Sequence, residues 1–234
     1  MGNAGVNREN CIFRRHIQMQ LSEQDKERLA FRVAMLEAKT GAQVVAALVA
    51  RSDSYPEAPW KAFALGAATV ALLASACPLL ARDWEGGQPA LYNAVAILGS
   101  GAVLALLTTL FAPLARLFTD RPRRSAEVGQ HARSMFFDRG LDRTRGRIGI
   151  LLLVSLFERQ VVLLADDGFE GRIDDADWQE LTRRVTLLLR HDSAVGALHA
   201  GLDGLEALLL ARGFHGDGAG NELPTAIVVQ GGRP

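Results

Sequence analysis

The fold is decided by residues 62–115, which open with AFALGAATVALLASACPLLA (62–81), continue through RDWEGGQP (82–89) and close with ALYNAVAILGSGAVLALLTTLFAPLA (90–115). Neither apolar run contains an Asp, Glu, Lys or Arg. A helix rises about 1.5 Å per residue, so either run can cross the roughly 30 Å of hydrocarbon in a bilayer. Backbone groups in lipid must be paired within their own segment, which favours helices. The stretch 60–115 therefore predicts a transmembrane hairpin with spans at about 62–81 and 90–115.

Two features of the spans indicate an anchor rather than a channel. Gly99 and Gly101 give the second span a small-residue face on which the first span can pack closely. No ionisable side chain interrupts either run, whereas proton paths and ion pores need buried charge. A buried helix pair in a soluble protein is the alternative interpretation, and two runs of this length make it the weaker one.

The basic residues near the hairpin lie mostly outside its loop, which contains only Arg82 of this type. The others flank the two runs: Arg51, Lys61, Arg116, Arg121, Arg123 and Arg124. Because Lys and Arg concentrate on the cytoplasmic side, we expect a multi-pass protein of the inner (cytoplasmic) membrane, with both termini and the folded domain in the cytoplasm. Arg121, Arg123 and Arg124 are also expected to attract anionic lipid, at about 1 kcal/mol per side chain.

The remaining residues predict one α/β domain in two parts, 21–56 and 121–230, after a flexible tail at 1–20. The 234 residues leave enough chain outside the hairpin for one core of ordinary size. Charge is balanced, with 26 basic and 26 acidic residues, and no recognition motif accompanies the arginines, so nucleic-acid binding is not expected. The two cysteines, Cys11 and Cys77, do not suggest a disulfide.

Local signals predict the order helix, strand, hairpin, helix, strand, strand, helix, helix. Ser22 and Asp25 resemble a capping box, and Gly41 is a typical helix stop. Two apolar runs separated by three residues predict a tight antiparallel pair. The predicted elements are helix Glu23–Lys39, strand Gln43–Ala50, a basic turn at Arg121–Ser125, helix Ala126–Asp138, strands Ile148–Leu156 and Gln160–Ala165, a helix from Asp174 or Asp175, helix Ser193–Arg212, and a short edge strand or tail at Thr225–Gln230.

Several motifs in this order resemble the TPM domain family, in particular its membrane-anchored bacterial branch. They are LSEQD (21–25), EAKTGAQVV (37–45), FFDRGLDRT (136–144), GILL (149–152), VSLFER (154–159), ADDG (165–168), Trp178 and NELP (221–224). The resemblance implies a compact α/β sandwich, here interrupted by the hairpin. That family includes a thylakoid protein tied to photosystem repair with a proposed acid phosphatase activity, members that bind calcium through acidic loops, and a receptor auxiliary subunit.

Acidic residues after the second strand of the antiparallel pair are the candidate metal ligands. Asp166, Asp167 and Glu170 offer the hard oxygens that Ca²⁺ or Mg²⁺ prefers, and Glu37 and Asp53 complete a site if the loops converge. The alternative is purely structural: Asp166-Asp167-Gly168 makes a turn, and the next acidic residues cap the following helix and favour its dipole. No other cofactor is expected.

Nucleophilic catalysis has little support in the sequence. The chain has no Gly-x-Ser-x-Gly elbow and no phosphate-binding loop that ends in Gly-Lys-Ser/Thr. Ser155 lies inside a predicted strand, where a hydroxyl is usually buried and hydrogen-bonded. We therefore expect an interaction or assembly module with a membrane-protein partner and a divalent-cation site. The alternative function is a metal-dependent acid phosphatase.

Overall fold

A computed structural model describes residues 22–52, 55, 57–81, 90–191, 193–216 and 227–230. The tail at 1–20, the polar loop at 82–89, the NELP motif and Asp53 lie outside these residues. The chain forms two compact units. The α/β unit consists of the described residues within Met1–Ser54 and Ser125–Pro234, and the helical unit of those within Tyr55–Arg124.

The described residues form seven α-helices and four strands. The helices are α1 (Glu23–Thr40), α2 (Glu57–Ala81), α3 (Ala90–Leu110), α4 (Ala112–Leu117), α5 (Arg121–Asp138), α6 (Asp175–His191) and α7 (Ala194–Ala211). The strands are β1 (Gln43–Val49), β2 (Gly149–Ser155), β3 (Gln160–Ala165) and β4 (Val228–Gln230), and short 3₁₀ turns occupy Leu141–Arg143, Arg145–Arg147 and Asp167–Phe169.

The sheet has the strand order β3-β2-β1-β4. Strand β1 runs parallel to β2, from the pair Gln43 and Gly149 to the pair Val49 and Ser155, and parallel to β4 on its other side. Strand β3 is antiparallel to β2, which confirms the predicted tight pair. Because β1 precedes the apolar helices and β2 follows them, the sheet is built from both parts of the chain, and the α/β fold class is confirmed.

Helices cover both faces of the sheet, which explains why β1 and β2 are buried throughout. Successive strand residues point to opposite faces. Val44, Ala46 and Leu48 of β1 pack with residues of α1, α6 and α7, including the fully buried Leu198, Leu202, Leu205 and Leu209. Val45, Ala47 and Val49 pack instead with α5, through Val128, Ala132, Met135 and Phe136. The unit is thus a three-layer α/β sandwich.

The helical unit is held together by small residues where α2 meets α3. A Cβ on Gly66 would lie 2.9 Å from the Ser100 carbonyl oxygen, and one on Gly101 would lie 2.9 Å from the Phe63 ring. The Ser100 hydroxyl also donates to the Gly66 carbonyl at 3.2 Å. Gly101 therefore packs as predicted. Gly99 does not, because a Cβ there would meet nothing within 4 Å.

Two predicted boundaries around the second apolar run were wrong. Helix α3 ends at Leu110, and Phe111 is extended before the short α4, which carries a proline in its first turn. The basic segment Arg121–Ser125 is the start of α5 and not a separate turn. Proline fits the first turn of a helix because its missing N–H has no intrahelical partner there, so Pro122 is accommodated as the second residue of α5.

Candidate functional site

The acidic loop, Asp166–Glu170, follows the end of β3 and packs against the turn Arg145–Arg147. The Asp166 N–H donates to the Gly149 carbonyl at 3.0 Å, and the Asp166 carboxylate accepts the Asp167 N–H at 2.9 Å. A Cβ on Gly168 would lie 2.5 Å from the Arg147 carbonyl oxygen and closer still to that of Gly146. Only glycine therefore allows the loop and this turn to approach so closely.

Arg147 brings a positive charge into the acidic loop. Its guanidinium lies 2.8 Å from Oδ1 of Asp166 and 2.6 Å from Oδ2 of Asp167. The Asp166 side chain is 4% exposed, whereas that of Asp167 is 70% exposed. The other carboxylate oxygen of Asp166, Oδ2, is buried without a hydrogen-bond partner among the described residues. The loop therefore holds two carboxylates that share one guanidinium, and one buried carboxylate oxygen that could still accept a ligand.

The structure does not bring Glu37, another predicted ligand, to this loop, and Asp53 lies outside the described residues. Glu37 is buried at the end of α1, where its Oε1 accepts the Val44 N–H at 2.9 Å and so supports the start of β1. Glu37 therefore lies beside β1, whereas the acidic loop follows β3, and β2 lies between these two strands in the sheet. Glu170 is exposed. Among the described residues, no three His, Cys, Asp or Glu side chains are close enough together to hold a metal.

The acidic residues that follow the loop are engaged by a second arginine. The Arg212 guanidinium lies 3.7 Å from Asp174 and in direct contact with Asp177. Asp174 also accepts the Asp177 N–H at 3.0 Å through its carbonyl, as in a helix start. Arg212 is the residue that caps the C-terminal end of α7. These charges tie the start of α6 to the end of α7.

A buried polar cluster, Ser52–Ser155–Glu158, lies at the carboxyl ends of β1 and β2. Oε1 of Glu158 accepts the Ser52 N–H at 3.0 Å, and the Ser155 hydroxyl donates to Oε2 of Glu158. The two serine hydroxyls are 3.4 Å apart. Ligands in α/β sheets commonly bind at this edge. Here, however, all three residues are at most 4% exposed, so the cluster links the end of β1 to the turn after β2.

Sequence reasoning correctly expected Ser155 to be buried but missed the role of Glu158. The one local signal is a glutamate in a tight turn between two apolar strands. Its partner Ser52 lies 106 residues earlier in the chain. No spacing rule connects residues so far apart, so the cluster appears only in the folded sheet.

An ion-pair network joins α1 to α7. Arg32 pairs with Asp203 at 2.8 Å and directly with Glu206, and Lys39 lies 2.8 Å from Glu206. Hydrogen bonds from Lys39 and Arg32 hold the pKa of Glu206 below its ordinary value, against the opposing effect of burial. Burial acts to lower the pKa of Arg32, and its hydrogen bonds to Glu206 and Asp203 raise it. The polar face of α7 is thus fixed to α1 by charge.

Three helical segments in the described part of the chain are long and apolar enough to cross a membrane: Glu57–Ala76, Ala90–Leu110 and Ala194–Ala211. They differ in what covers them. Of the apolar stretch in each helix, 11% is buried in the first and 6% in the second, against 44% in the third. Large apolar side chains of α2 and α3 point outward, among them Leu65, Leu72, Leu73, Val95, Leu98, Val103 and Leu106.

These features define an α/β sandwich domain in a chain that also carries two long helices with apolar outer faces. The model of the TPM domain family matches residues 118–208, which confirms the family resemblance over that part of the chain. The chain is also similar to the NMR structure of the BA42 protein from the psychrophilic bacterium Bizionia argentinensis. The TM-score is 0.53 at 13% sequence identity, and the match covers 90% of this chain and 95% of that one. This similarity supports the fold alone. No curated protein matches the sequence.

Proposed function

We propose that this chain is an integral membrane protein, anchored by α2 and α3, whose α/β unit serves as an interaction or assembly module. The outward apolar faces of α2 and α3 carry the proposal. Helices of 25 and 21 residues exceed the length that a bilayer requires. Leucines and valines around most of their surface would face lipid favourably, whereas in water they would form an apolar patch of unusual size.

Helix α7 is left out of the membrane in this proposal. Its apolar face packs on the sheet through Leu198, Leu202 and Leu205, and its polar face carries Asp203 and Glu206 in ion pairs. If α7 moved into lipid, the sheet would lose the apolar face that covers it, and Asp203 and Glu206 would lose their ion-pair partners and their contact with water. Both changes cost free energy. The proposal therefore has two spans.

The inner (cytoplasmic) membrane is the proposed location, with both termini and the α/β unit in the cytoplasm. The basic residues that flank the spans support this orientation. Anionic lipid near Arg121, Arg123 and Arg124 is part of the same proposal. Within the helical unit, Arg123 lies 2.9 Å from Glu57, so part of its charge is already neutralised.

Topology is the first test of the proposal. A reporter fused after Pro234 should behave as cytoplasmic, because basic residues flank the hairpin and are scarce in its loop. The same reporter inserted between Gly86 and Gly87 should behave as periplasmic. Reporter activity in intact cells measures both positions. A periplasmic signal from the Pro234 fusion would reverse the proposed orientation, and cytoplasmic signals from both would argue against two spans.

A module suits the charges of the α/β unit better than an enzyme does. Two of the candidate ligands, Asp166 and Asp167, are paired with Arg147, and the hydroxyls of Ser52 and Ser155 are buried. Ion-paired carboxylates and buried, hydrogen-bonded hydroxyls stabilise a fold and are not available to a substrate. The proposed partner is another membrane protein, since a partner in the same bilayer meets this domain at high effective concentration.

A divalent-cation site is the second candidate, and with it a metal-dependent phosphatase. The observation that favours it is Oδ2 of Asp166, a buried carboxylate oxygen without a hydrogen-bond partner among the described residues. Asp166, together with Asp167 and Glu170, would hold Ca²⁺ or Mg²⁺ if Arg147 moved aside. Glu37 and Asp53, the other expected ligands, would have to come from other parts of the fold. Repulsion between the carboxylates then favours the bound cation.

Cation titration separates the two candidates. If Ca²⁺ or Mg²⁺ binds the folded chain, millimolar ion should raise the thermal unfolding midpoint in detergent. Asp166→Asn with Asp167→Asn should abolish the shift. Asp174→Asn with Asp175→Asn removes the same charge elsewhere and should leave the shift unchanged. A midpoint that no ion moves, with no hydrolysis of a phosphomonoester by the same preparation, would leave the module as the function.

A further inference from the structure

Strand β3 forms one edge of the sheet. It pairs with β2 on one side, and within the described residues no strand pairs with its other side. The segment Gln160–Ala165 contains no charge and no proline. Natural proteins usually block an exposed edge with charged residues, prolines or bulges, because unpaired backbone groups attract another strand. An unblocked apolar edge therefore indicates a binding surface.

The outward backbone groups of β3 belong to alternate residues. The Asp166 N–H donates to Gly149 of β2. In an antiparallel ladder the residues that share this inward direction are two apart. Val162 and Leu164 therefore bond to β2, and the N–H and carbonyl of Val161, Leu163 and Ala165 point away from the sheet. These three residues can pair with an added strand.

The side chains of β3 are covered only in part on both faces of the sheet. Val161 is buried and Ala165 is exposed, and the residues between them, Val162, Leu163 and Leu164, are half-buried. Leu163 belongs to the face with α1, α6 and α7, and Val162 and Leu164 to the face with α5. An added strand would bury apolar surface on both faces.

Opposite charges stand at the two ends of β3. Arg159 is exposed just before the strand. Asp167, 70% exposed, lies just after it, where Asp166 and Asp167 share the single guanidinium of Arg147 and so keep a net negative charge. An antiparallel strand with the same sequence would bring the arginine end of each copy to the aspartate end of the other. Such self-complementarity is what a twofold-symmetric interface requires.

We propose that β3 pairs antiparallel with β3 of a second copy of this chain, centred on Leu163, so that the two sheets become continuous. This register places Leu163 opposite itself and Val161 opposite Ala165, which joins the outward backbone groups of both strands. Val162 then faces Leu164 of the partner copy on the α5 side. A shift by one residue would oppose side chains from different faces, so the pleat excludes it.

A proline substitution tests the backbone pairing. Leu163→Pro removes an outward N–H and leaves the bonds to β2 in place, as edge strands tolerate. Leu163→Ala removes similar packing and keeps the N–H. Light scattering of the full chain in detergent should give the mass of a dimer for the wild type and for Leu163→Ala, and that of a monomer for Leu163→Pro. A wild-type monomer at every concentration, or a Leu163→Pro dimer, would overturn the proposal.

A cysteine at the proposed twofold axis tests the register. Residues of a hydrogen-bonded antiparallel pair have Cα atoms about 5.5 Å apart, within reach of a disulfide. In a background of Cys11→Ser and Cys77→Ala, Leu163→Cys should cross-link in most molecules under mild oxidation. Leu188→Cys, on the exposed side of α6, should give only background. Equal cross-linking at both positions would contradict the register.

Charge reversal gives an independent readout that leaves the strand itself unchanged. Arg159→Glu places like charges near Asp167 of the other copy and should shift the dimer towards monomer. Arg159→Lys should not. Since the pair is exposed, high salt should reduce the difference between the two variants. A dimer that is indifferent to Arg159→Glu at low salt would remove the charge argument. None of these readouts depends on membrane insertion, so they can fail separately from the proposed anchor.

Discussion

Replacing Tyr55–Arg124 with a flexible Gly/Ser linker should yield a soluble domain that unfolds in one cooperative transition. The reason lies in the sheet, where β1 is one of the two central strands and comes from the part of the chain before the excised residues. Its pairing with β2 extends from Gln43 to Val49. Neither part can form this sheet alone, and closing a loop with a linker costs little entropy compared with the contacts regained.

The positions of the three tryptophans give this experiment a specific fluorescence signal. Trp60 and Trp84 are removed by the excision, which leaves Trp178 as the only tryptophan. Its ring packs edge-on against Phe169, with centroids 5.7 Å apart, in the core between the sheet and α6. Tryptophan fluorescence then reports on the α6 side, and far-UV circular dichroism on the whole domain. Coincident transitions are the expected result.

A core variant provides the control for cooperativity. Leu152→Ala in β2 removes a fully buried side chain and should lower the stability by about 2–5 kcal/mol in both signals equally. Leu188→Ala, at a position 42% exposed, should change either signal little. If Leu152→Ala moved one signal and not the other, or if the parent domain showed two transitions, the two parts of the chain would not share one core.

Short-range signals in the sequence predicted their elements correctly. The Ser22 hydroxyl accepts the Asp25 N–H at 3.1 Å and the Asp25 carboxylate accepts the Ser22 N–H at 3.2 Å, as a capping box requires. Gly41 ends α1 in the left-handed conformation. These interactions join residues three or four apart, so the sequence alone contains all the partners.

Pairings over longer distances could not be read in the same way. The sequence showed the carboxylates of the acidic loop but not their pairing with Arg147. This arginine precedes β2, and it reaches the loop after β3 only in the folded domain. Arg147 also has a positive φ of 56°, directly after Gly146 at 77°. No periodicity predicts such a backbone. Without that arginine, the repulsion among the carboxylates had no visible compensation, so a metal site stayed open beside the structural interpretation.

The boundary of the second apolar run shows another limit. Composition alone extended the span to Ala115, because residues 111–115 are as apolar as those before them. The helix nevertheless ends at Leu110 and restarts at Ala112. Pro113 explains this change, since a proline has no N–H to donate to the carbonyl four residues earlier, that of Thr109, and its ring clashes with that carbonyl. Hydropathy therefore gives the length of an apolar segment but not its breaks.

Gly168→Ala is expected to be the most destabilising single methyl addition in the acidic loop. The new Cβ would lie 2.5 Å from the Arg147 carbonyl oxygen and closer still to that of Gly146. Both atoms belong to the backbone and cannot rotate away. Relief requires the loop to separate from the turn Arg145–Arg147, which would weaken the pairing of Arg147 with the carboxylates. We expect a loss at or above the upper end of the roughly 1–3 kcal/mol that overpacking usually costs.

Gly129→Ala is the matched control for this change. It adds the same methyl group within α5, where a Cβ would meet nothing within 4 Å, and should stabilise the helix by about 0.5–1 kcal/mol. Denaturant midpoints of the full chain in detergent measure both variants. If Gly168→Ala were as stable as Gly129→Ala, the loop would be free to leave Arg147. A cation could then take the place of that guanidinium between Asp166 and Asp167, and the cation site would become the stronger of the two candidate functions.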